Sequence, residues 1–161
     1  MSDSPLVALF KELLVQMKLA LPSLDIERRY MPYIEAAELD GIKVSVFLET
    51  TEDGKLGRSD VDTQLITFGI SVQQVVAEPS VDDADNEPVR NGVDNLAHGD
   101  MVLNTVELIK DNWRSGGPLR DLSIAGYSFK EMVHDPVYEP IHLMSIGVFT
   151  SIIDVTYELV Y

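Results

Sequence analysis

The sequence predicts an α+β fold, sandwich-like, in which a mostly antiparallel mixed sheet packs against helices in the order α-β-β-β-α-β-β. Three observations predict it. Two stretches, one at the start of the chain and one past its middle, place apolar residues at helical spacing. Other stretches alternate apolar and polar residues with a period of two, the pattern of a strand with one face on a core. Helices and strands do not alternate regularly and no segment repeats, which argues against a parallel doubly wound sheet and against a repeat array.

The elements follow in chain order. Ser4 reads as an N-cap with Pro5 in the first helical turn, and Leu6, Leu9, Phe10, Leu13, Leu14 and Met17 then recur at helical spacing until Pro22. From Ile26 the chain turns β-like through Arg29 and Tyr30, and Pro32 ends this strand or holds it at an edge, because proline cannot donate to a ladder. An irregular link from Ile34 to Gly41 leads to a second strand, where Ile42, Val44, Val46 and Leu48 alternate with Lys43, Ser45, Phe47 and Glu49. The polar stretch Thr50 to Asp60 carries a turn signal at Asp53-Gly54, and beyond it Ile66, Phe68, Ile70 and Val72 alternate with Leu65, Thr67, Gly69 and Ser71. The expectation is an antiparallel pair with a longish connection.

The second helix is expected to start at Asp100 as N-cap, to run Val102, Val106, Ile109 and Trp113 along one face, and to stop at Ser115-Gly116-Gly117-Pro118. Two strands complete the order, Tyr127 to Val133 and Val148 to Leu159. In the latter Phe149, Ser151, Ile153, Val155, Tyr157 and Leu159 share a face, and Asp135-Pro136 and Glu139-Pro140 punctuate the connection. Before the second helix the composition changes abruptly to proline and carboxylates between Glu78 and Asn95. That segment reads as a mobile acidic loop of about residues 78–95 within a single domain spanning 1–161.

The length of 161 residues suits one ordinary domain of about 100–200 residues. With 27 Asp and Glu against 12 Lys and Arg, the formal charge is −15 and the pI near 4.3. Nucleic-acid binding needs cations to neutralise phosphates, so this balance argues against specific binding of DNA and against an anionic membrane surface. Cysteine is absent, which excludes disulfides, Cys-ligated zinc and a cysteine nucleophile. The start of the chain has no basic segment, and Lys11, Glu12, Gln16 and Lys18 interrupt its apolar stretch, so neither a signal peptide nor a transmembrane helix is expected.

A search for chemistry ends without catalytic, cofactor-binding or metal-ligating residues. His98, His134 and His142 are the only histidines, and their spacing gives no closely spaced pair for zinc, so they read as structural or surface side chains. The cluster Asp82, Asp83, Asp85, Asn86, Glu87 invites calcium, but Glu87 stands where an EF-hand needs its turn glycine, and Val93 where it needs a bidentate Glu. No GxSxG elbow, Walker loop or GxGxxG turn occurs, and Gly116-Gly117 closes a helix instead of opening one. The expectation is a protein that is not an enzyme and works by assembling with others.

The order of segments and several phrases resemble the tail terminator proteins of long-tailed bacteriophages. The phrases are the apolar N-terminal helix, Glu27-Arg28-Arg29-Tyr30-Met31-Pro32-Tyr33, the long Leu65–Val76 strand, Val102-Leu103-Asn104-Thr105-Val106-Glu107-Leu108-Ile109, and the closing text from Gly147 to Tyr157. The resemblance implies a structural virion protein at the tail-neck junction, assembled in the host cytoplasm. It implies a homohexameric ring that caps the tail tube, ends tube polymerisation and offers a surface to the head connector or head-completion protein, with DNA passing through unbound. The residues expected at subunit or partner interfaces are Arg28, Arg29, Arg58, Asp82, Asp83 and Asp85. Two other readings stand beside it: a head-completion protein of the neck, and an enzyme or ligand-binding protein with a carboxylate site in the acidic loop.

Overall fold

In the computed structural model, which describes residues 2–35, 38–55, 62–76, 96–124, 126–141, 143 and 147–160, the chain runs α1 (Pro5–Ala20), β1 (Ile26–Arg28), β2 (Lys43–Lys55), β3 (Asp62–Val75), α2 (Leu96–Lys110), β4 (Ser128–Val133) and β5 (Val148–Val160). The α-β-β-β-α-β-β order is the one expected. The five strands form one mixed sheet in the spatial order β1-β2-β3-β5-β4, with β1 parallel to β2 and every other neighbouring pair antiparallel. Among the described residues no helix is long and apolar enough to cross a membrane.

The caps explain where α1 begins. Ser4 is extended and its hydroxyl accepts a hydrogen bond from the Val7 amide at 3.3 Å, while Pro5 occupies a position whose amide would have had no helical partner. The face so started buries Leu9, Phe10, Leu13 and Met17. The start of α2 differs from expectation: the helix opens at Leu96, a turn before Asp100, and Asp100 lies inside it. The earlier turn is packed, because Gly99 sits against the Phe149 ring, where an added Cβ would meet ring carbon at 3.4 Å.

The other end of α2 also differs in detail. Helical pairing stops at Lys110, and Asn112 and Trp113 close the turn with tighter bonds to the Ile109 and Lys110 carbonyls. Trp113 is therefore in the turn after the helix and not on its face, yet it is fully buried. The glycines make this possible. Gly116 takes a φ of 82°, and a Cβ on Gly117 would lie 2.3 Å from the Asp111 carbonyl oxygen, so the chain can fold back close beneath the helix only without side chains there.

Both helices cover one face of the sheet. The core joins Leu9, Phe10, Leu13 and Met17 of α1 and Val102, Val106 and Ile109 of α2 to Val44 and Val46, to Ile66, Phe68, Ile70 and Val72, and to Ile153, Val155 and Tyr157. Across it runs a chain of edge-to-face aromatic pairs, Tyr30 on Phe10, Phe10 on Phe68, Phe68 on Tyr157 and Phe129 on Tyr157, with centroids 5.3–6.3 Å apart. The Trp113 indole donates its N–H to the Tyr157 hydroxyl at 2.9 Å, so two large buried rings satisfy each other's polar atoms. Burial pushes the Tyr157 hydroxyl up to about 12.

The opposite face is polar and buried in its middle. Ser45, Ser71, Gln73 and Thr150 are closed from solvent because the segment after β1 crosses over them. The Ser71 hydroxyl donates to the Pro32 carbonyl at 2.9 Å, and the Gln73 side chain accepts from the Ile34 amide at 2.9 Å while donating to the Thr150 hydroxyl at 3.0 Å. β1 ends at Arg28, earlier than the expected strand through Tyr30, and Pro32 lies in the bend that follows, where its carbonyl accepts from Ser71.

Strands β2 and β3 run further than the alternation suggested. Asp53-Gly54 is not a turn: Asp53 pairs with Gln64 and Gly54 with Thr63 inside the ladder. The extension holds because β3 is bonded on its other side as well, with Thr63 opposite Val160 of β5. Backbone pairing on both sides of β3, not burial of side chains, carries this polar part of the sheet.

Two substitutions test the packing. Trp113→Ala removes a fully buried indole and its hydrogen bond, and is expected to lower stability by about 3–5 kcal/mol in urea denaturation; a loss under about 1 kcal/mol would mean that the indole is not in the core. At Gly69 an added Cβ would fall 2.1 Å from the Phe47 ring. Gly69→Ala is therefore expected to cost about 1–3 kcal/mol, and the cost should shrink when Phe47→Leu is already present, as a double-mutant cycle would read.

Candidate functional site

The interface residues expected from sequence sit as follows. Arg28, on β1, turns toward the helix layer: its guanidinium lies 5.0 Å from the centroid of the Phe10 ring and 5.9 Å from that of Tyr30, and its Nη1 is buried without a hydrogen-bond partner. Arg29 pairs inside the chain, with its Nη2 donating to Glu27 at 2.9 Å. The structure thus engages both arginines within their own subunit, on neighbouring positions of one edge strand. Arg58, Asp82, Asp83 and Asp85, the Glu78–Asn95 loop as a whole and His142 lie outside the described residues.

His134 is held structurally. Ser151 gives its hydroxyl proton to the Val137 carbonyl at 2.6 Å, so its contact of 2.7 Å with His134 Nε2 requires the imidazole to donate. Nδ1 is then the acceptor, facing the Lys110 ammonium at 3.4 Å. That arrangement belongs to neutral histidine, and burial followed by the Lys110 charge holds the imidazole below its ordinary range. Among the described residues no three His, Asp or Glu side chains converge as a metal site would need.

Two features were not visible in the sequence. The first is a carboxyl pair on the polar face. Glu49 is the extra residue of a bulge in β2, between the pairs Leu48 with Phe68 and Thr50 with Thr67, and it reaches toward Asp154 of β5. The strand between them offers only Gly69, which is opposite both Phe47 and Asp154. Burial, the hydrogen bond to Asp154 and the Asp154 charge together push the Glu49 carboxyl up to about 8, and Asp154 Oδ1 is buried with no donor. Near neutrality Glu49 therefore keeps its proton, because a second negative charge beside Asp154 would be repelled. Glu49 has an exposed surface, so water screens part of this effect.

The second feature is a pair of open sheet edges. β1 covers β2 only along Val44 to Val46, with one further bond from the Arg29 amide to the Val46 carbonyl. From Glu49 to Gly54 β2 is exposed, and among the described residues no backbone group pairs with its outer side there. On the far side of the sheet β4 is likewise an unpaired edge. The registers place these edges in the same rows: Ser128 stands opposite Glu158, Glu158 opposite Leu65 and Leu65 opposite Glu52, while Val133, Asp154, Gly69 and Phe47 form another row. Above those rows both sides are closed, by β1 on one and by the Glu139 amide bonded to the Thr150 carbonyl on the other.

No protein-family model matches the chain, and no curated protein sequence matches it either. The reading of function therefore rests on the residues and their arrangement.

The carboxyl pair has a pH signature. A carboxyl whose folded pKa is raised favours the folded state most below its unfolded value, and that advantage is lost as pH rises from about 4.5 through about 8. Glu49→Gln replaces the titratable carboxyl by a permanent amide donor. The variant is expected to gain on the parent protein across that window, reaching an advantage of about 1 kcal/mol at its alkaline end after discounting for exposure. Urea midpoints measured through the window would show it; curves that stay parallel would mean that the two carboxyls do not interact.

Proposed function

We propose that this chain is a ring-forming structural subunit of a virion that caps the end of a phage tail tube, stops its growth and presents a surface for joining the head. The observation that carries the reading is the sheet with open edges on its two opposite sides in the same rows. A head-to-tail contact closes into a ring when each copy offers two different, complementary surfaces, and unpaired strands are ready templates for such contacts.

Two further properties support it. The charge of −15 per chain, multiplied around a ring, makes a wall that repels phosphate and lets DNA slide without binding. The resemblance of the strand and helix phrases to tail terminator proteins agrees with the observed order of elements, which comprises both helices and all five strands. In this reading the partners are further copies of the chain, the tail tube protein and the head connector or head-completion protein. Within the chain Arg28 stacks on Phe10 and Arg29 pairs with Glu27, and in this reading both stand beside the edge that a neighbour meets.

A cap that occupies the growing end removes the template for the next tube subunit, whereas filling the head needs no contact with it. Without this protein, tubes are expected to grow past their normal length and to remain unjoined to heads that still contain DNA, as electron microscopy of a null mutant would show. Tails of normal length joined to heads would overturn the reading. Tails of normal length left unjoined would favour a head-completion role at the neck.

A further inference from the structure

We infer that neighbouring copies join by strand addition, with the outer edge of β4 from one copy pairing antiparallel with the Phe47–Glu52 stretch of β2 from the next, so that the sheets run continuously around the assembly. The inference rests on the ring reading and specifies the contact that makes the ring.

The sense of pairing follows from the topology. β2 and β3 are antiparallel, β3 and β5 are antiparallel, and so are β5 and β4, so β4 runs opposite to β2 within one copy. A rotation about an axis along the sheet preserves strand direction, and the next copy's β2 therefore meets β4 as an antiparallel neighbour, the commoner pairing. The level follows from the registers. Ser128 to Val133 span the same rows as Glu52 to Phe47. Copies joined along these edges stand at one height, without the axial rise that would turn a ring into an open helix.

The obstacles to pairing also stop where this contact needs them to stop. β1 ends at Arg28, opposite Val46, and among the described residues no backbone group pairs with the outer side of β2 beyond it. The exposed stretch carries Glu52 and Asp53, and like charges of this kind oppose pairing of two β2 edges with each other. Beside β4 stand Lys130, whose side chain is half exposed and bonded to Glu158, and the exposed Arg120, packed over the Phe129 ring. The two edges are thus unlike in charge, Glu131 apart, and each prefers the other to itself.

Backbone pairing over about six residues is small against the roughly 1,200–2,000 Å² that a stable interface buries. Exposed apolar side chains beside both edges supply more. Val133 ends β4, with Val137 just past it, and the exposed Tyr30 and Met31 follow the end of β1, which stands opposite Val46 of β2. In the inferred pairing the Val133 end of one copy meets the β1 end of the next.

Because the chain has no cysteine, the contact can be tested by cross-linking without background. Thr50 and Glu131 occupy the same row, through Thr67 and Thr156, and both are exposed. The double variant Thr50→Cys with Glu131→Cys is oxidised, alongside Glu52→Cys with Glu131→Cys for a shifted register and Leu19→Cys with Glu131→Cys as a control away from both edges. Sedimentation of the parent protein is measured in parallel. The expected result is a ladder of covalent oligomers that ends at the size of the sedimenting assembly, from one or both β2 pairs and not from the control. An assembly in sedimentation with no ladder from either β2 pair, in variants that keep the parent's circular dichroism, would overturn the edge contact and leave the ring reading standing. A chain that stays monomeric in sedimentation at the highest concentration it reaches, and also when mixed with tail tubes, would overturn both.

Discussion

Everything else in the fold depends on the backbone pairing of β3, which is hydrogen bonded to β2 from Asp62 to Gln73 and to β5 from Thr63 to Val75. A strand held on both sides along nearly its full length has one register, since a slip by one residue would carry its whole apolar set to the wrong face. That register puts Phe68 between Phe10 and Tyr157, sets the Phe47 ring over Gly69, and brings Glu49 to Asp154. It also aligns the open edge of β2 with that of β4, although two strands lie between them.

The two faces of this sheet are stabilised by different physics. On the helix face, interlocked aromatic and aliphatic side chains leave water, and the polar tips of the buried rings are bonded, Trp113 to the Tyr157 hydroxyl and the Tyr127 hydroxyl to Gln64. On the other face hydroxyls and amides are buried, which is favourable only when each finds a partner. Gln73 finds three, because its side chain spans a backbone amide and a hydroxyl while its backbone stays in the ladder. Ser45 Oγ and Asp154 Oδ1 on this face are buried without partners among the described residues, as are Arg28 Nη1 and Gln74 Oε1 on the helix side.

Edge strands are usually protected by charge, by shortness or by cover. This sheet uses all three on its upper rows and sides, with a three-residue β1, carboxylates along β2 and the Glu139 to Thr150 bond beside β5. The protection is selective, since carboxylates on β2 discourage a like edge but not one that carries Lys130 and Arg120. In the proposed ring, unlike edges on an acidic chain would favour head-to-tail contacts over like ones, which links the charge balance, legible in composition, to the topology that gives it a direction.

The order of elements, the start of α1 at Ser4-Pro5 and the apolar faces of the long strands were all legible in the sequence, because each depends on local chemistry: a cap, a φ restriction, a period of two or of 3.6. The continuation of β2 through Asp53-Gly54 was not, because a turn signal lost to pairing supplied by β5 through β3. Trp113 was legible as a core residue but not as a turn residue, since the tightening after Lys110 depends on the chain returning under Gly117. Arg28 and Arg29 were legible as edge-strand cations, while their engagement with Phe10 and Glu27 was decided by the helix packing above and the strand geometry. The Glu49–Asp154 pair and the matched edges had no signal in the sequence at all. They join residues about a hundred positions apart, and only the register of strands that pair across the whole sheet brings them into one row.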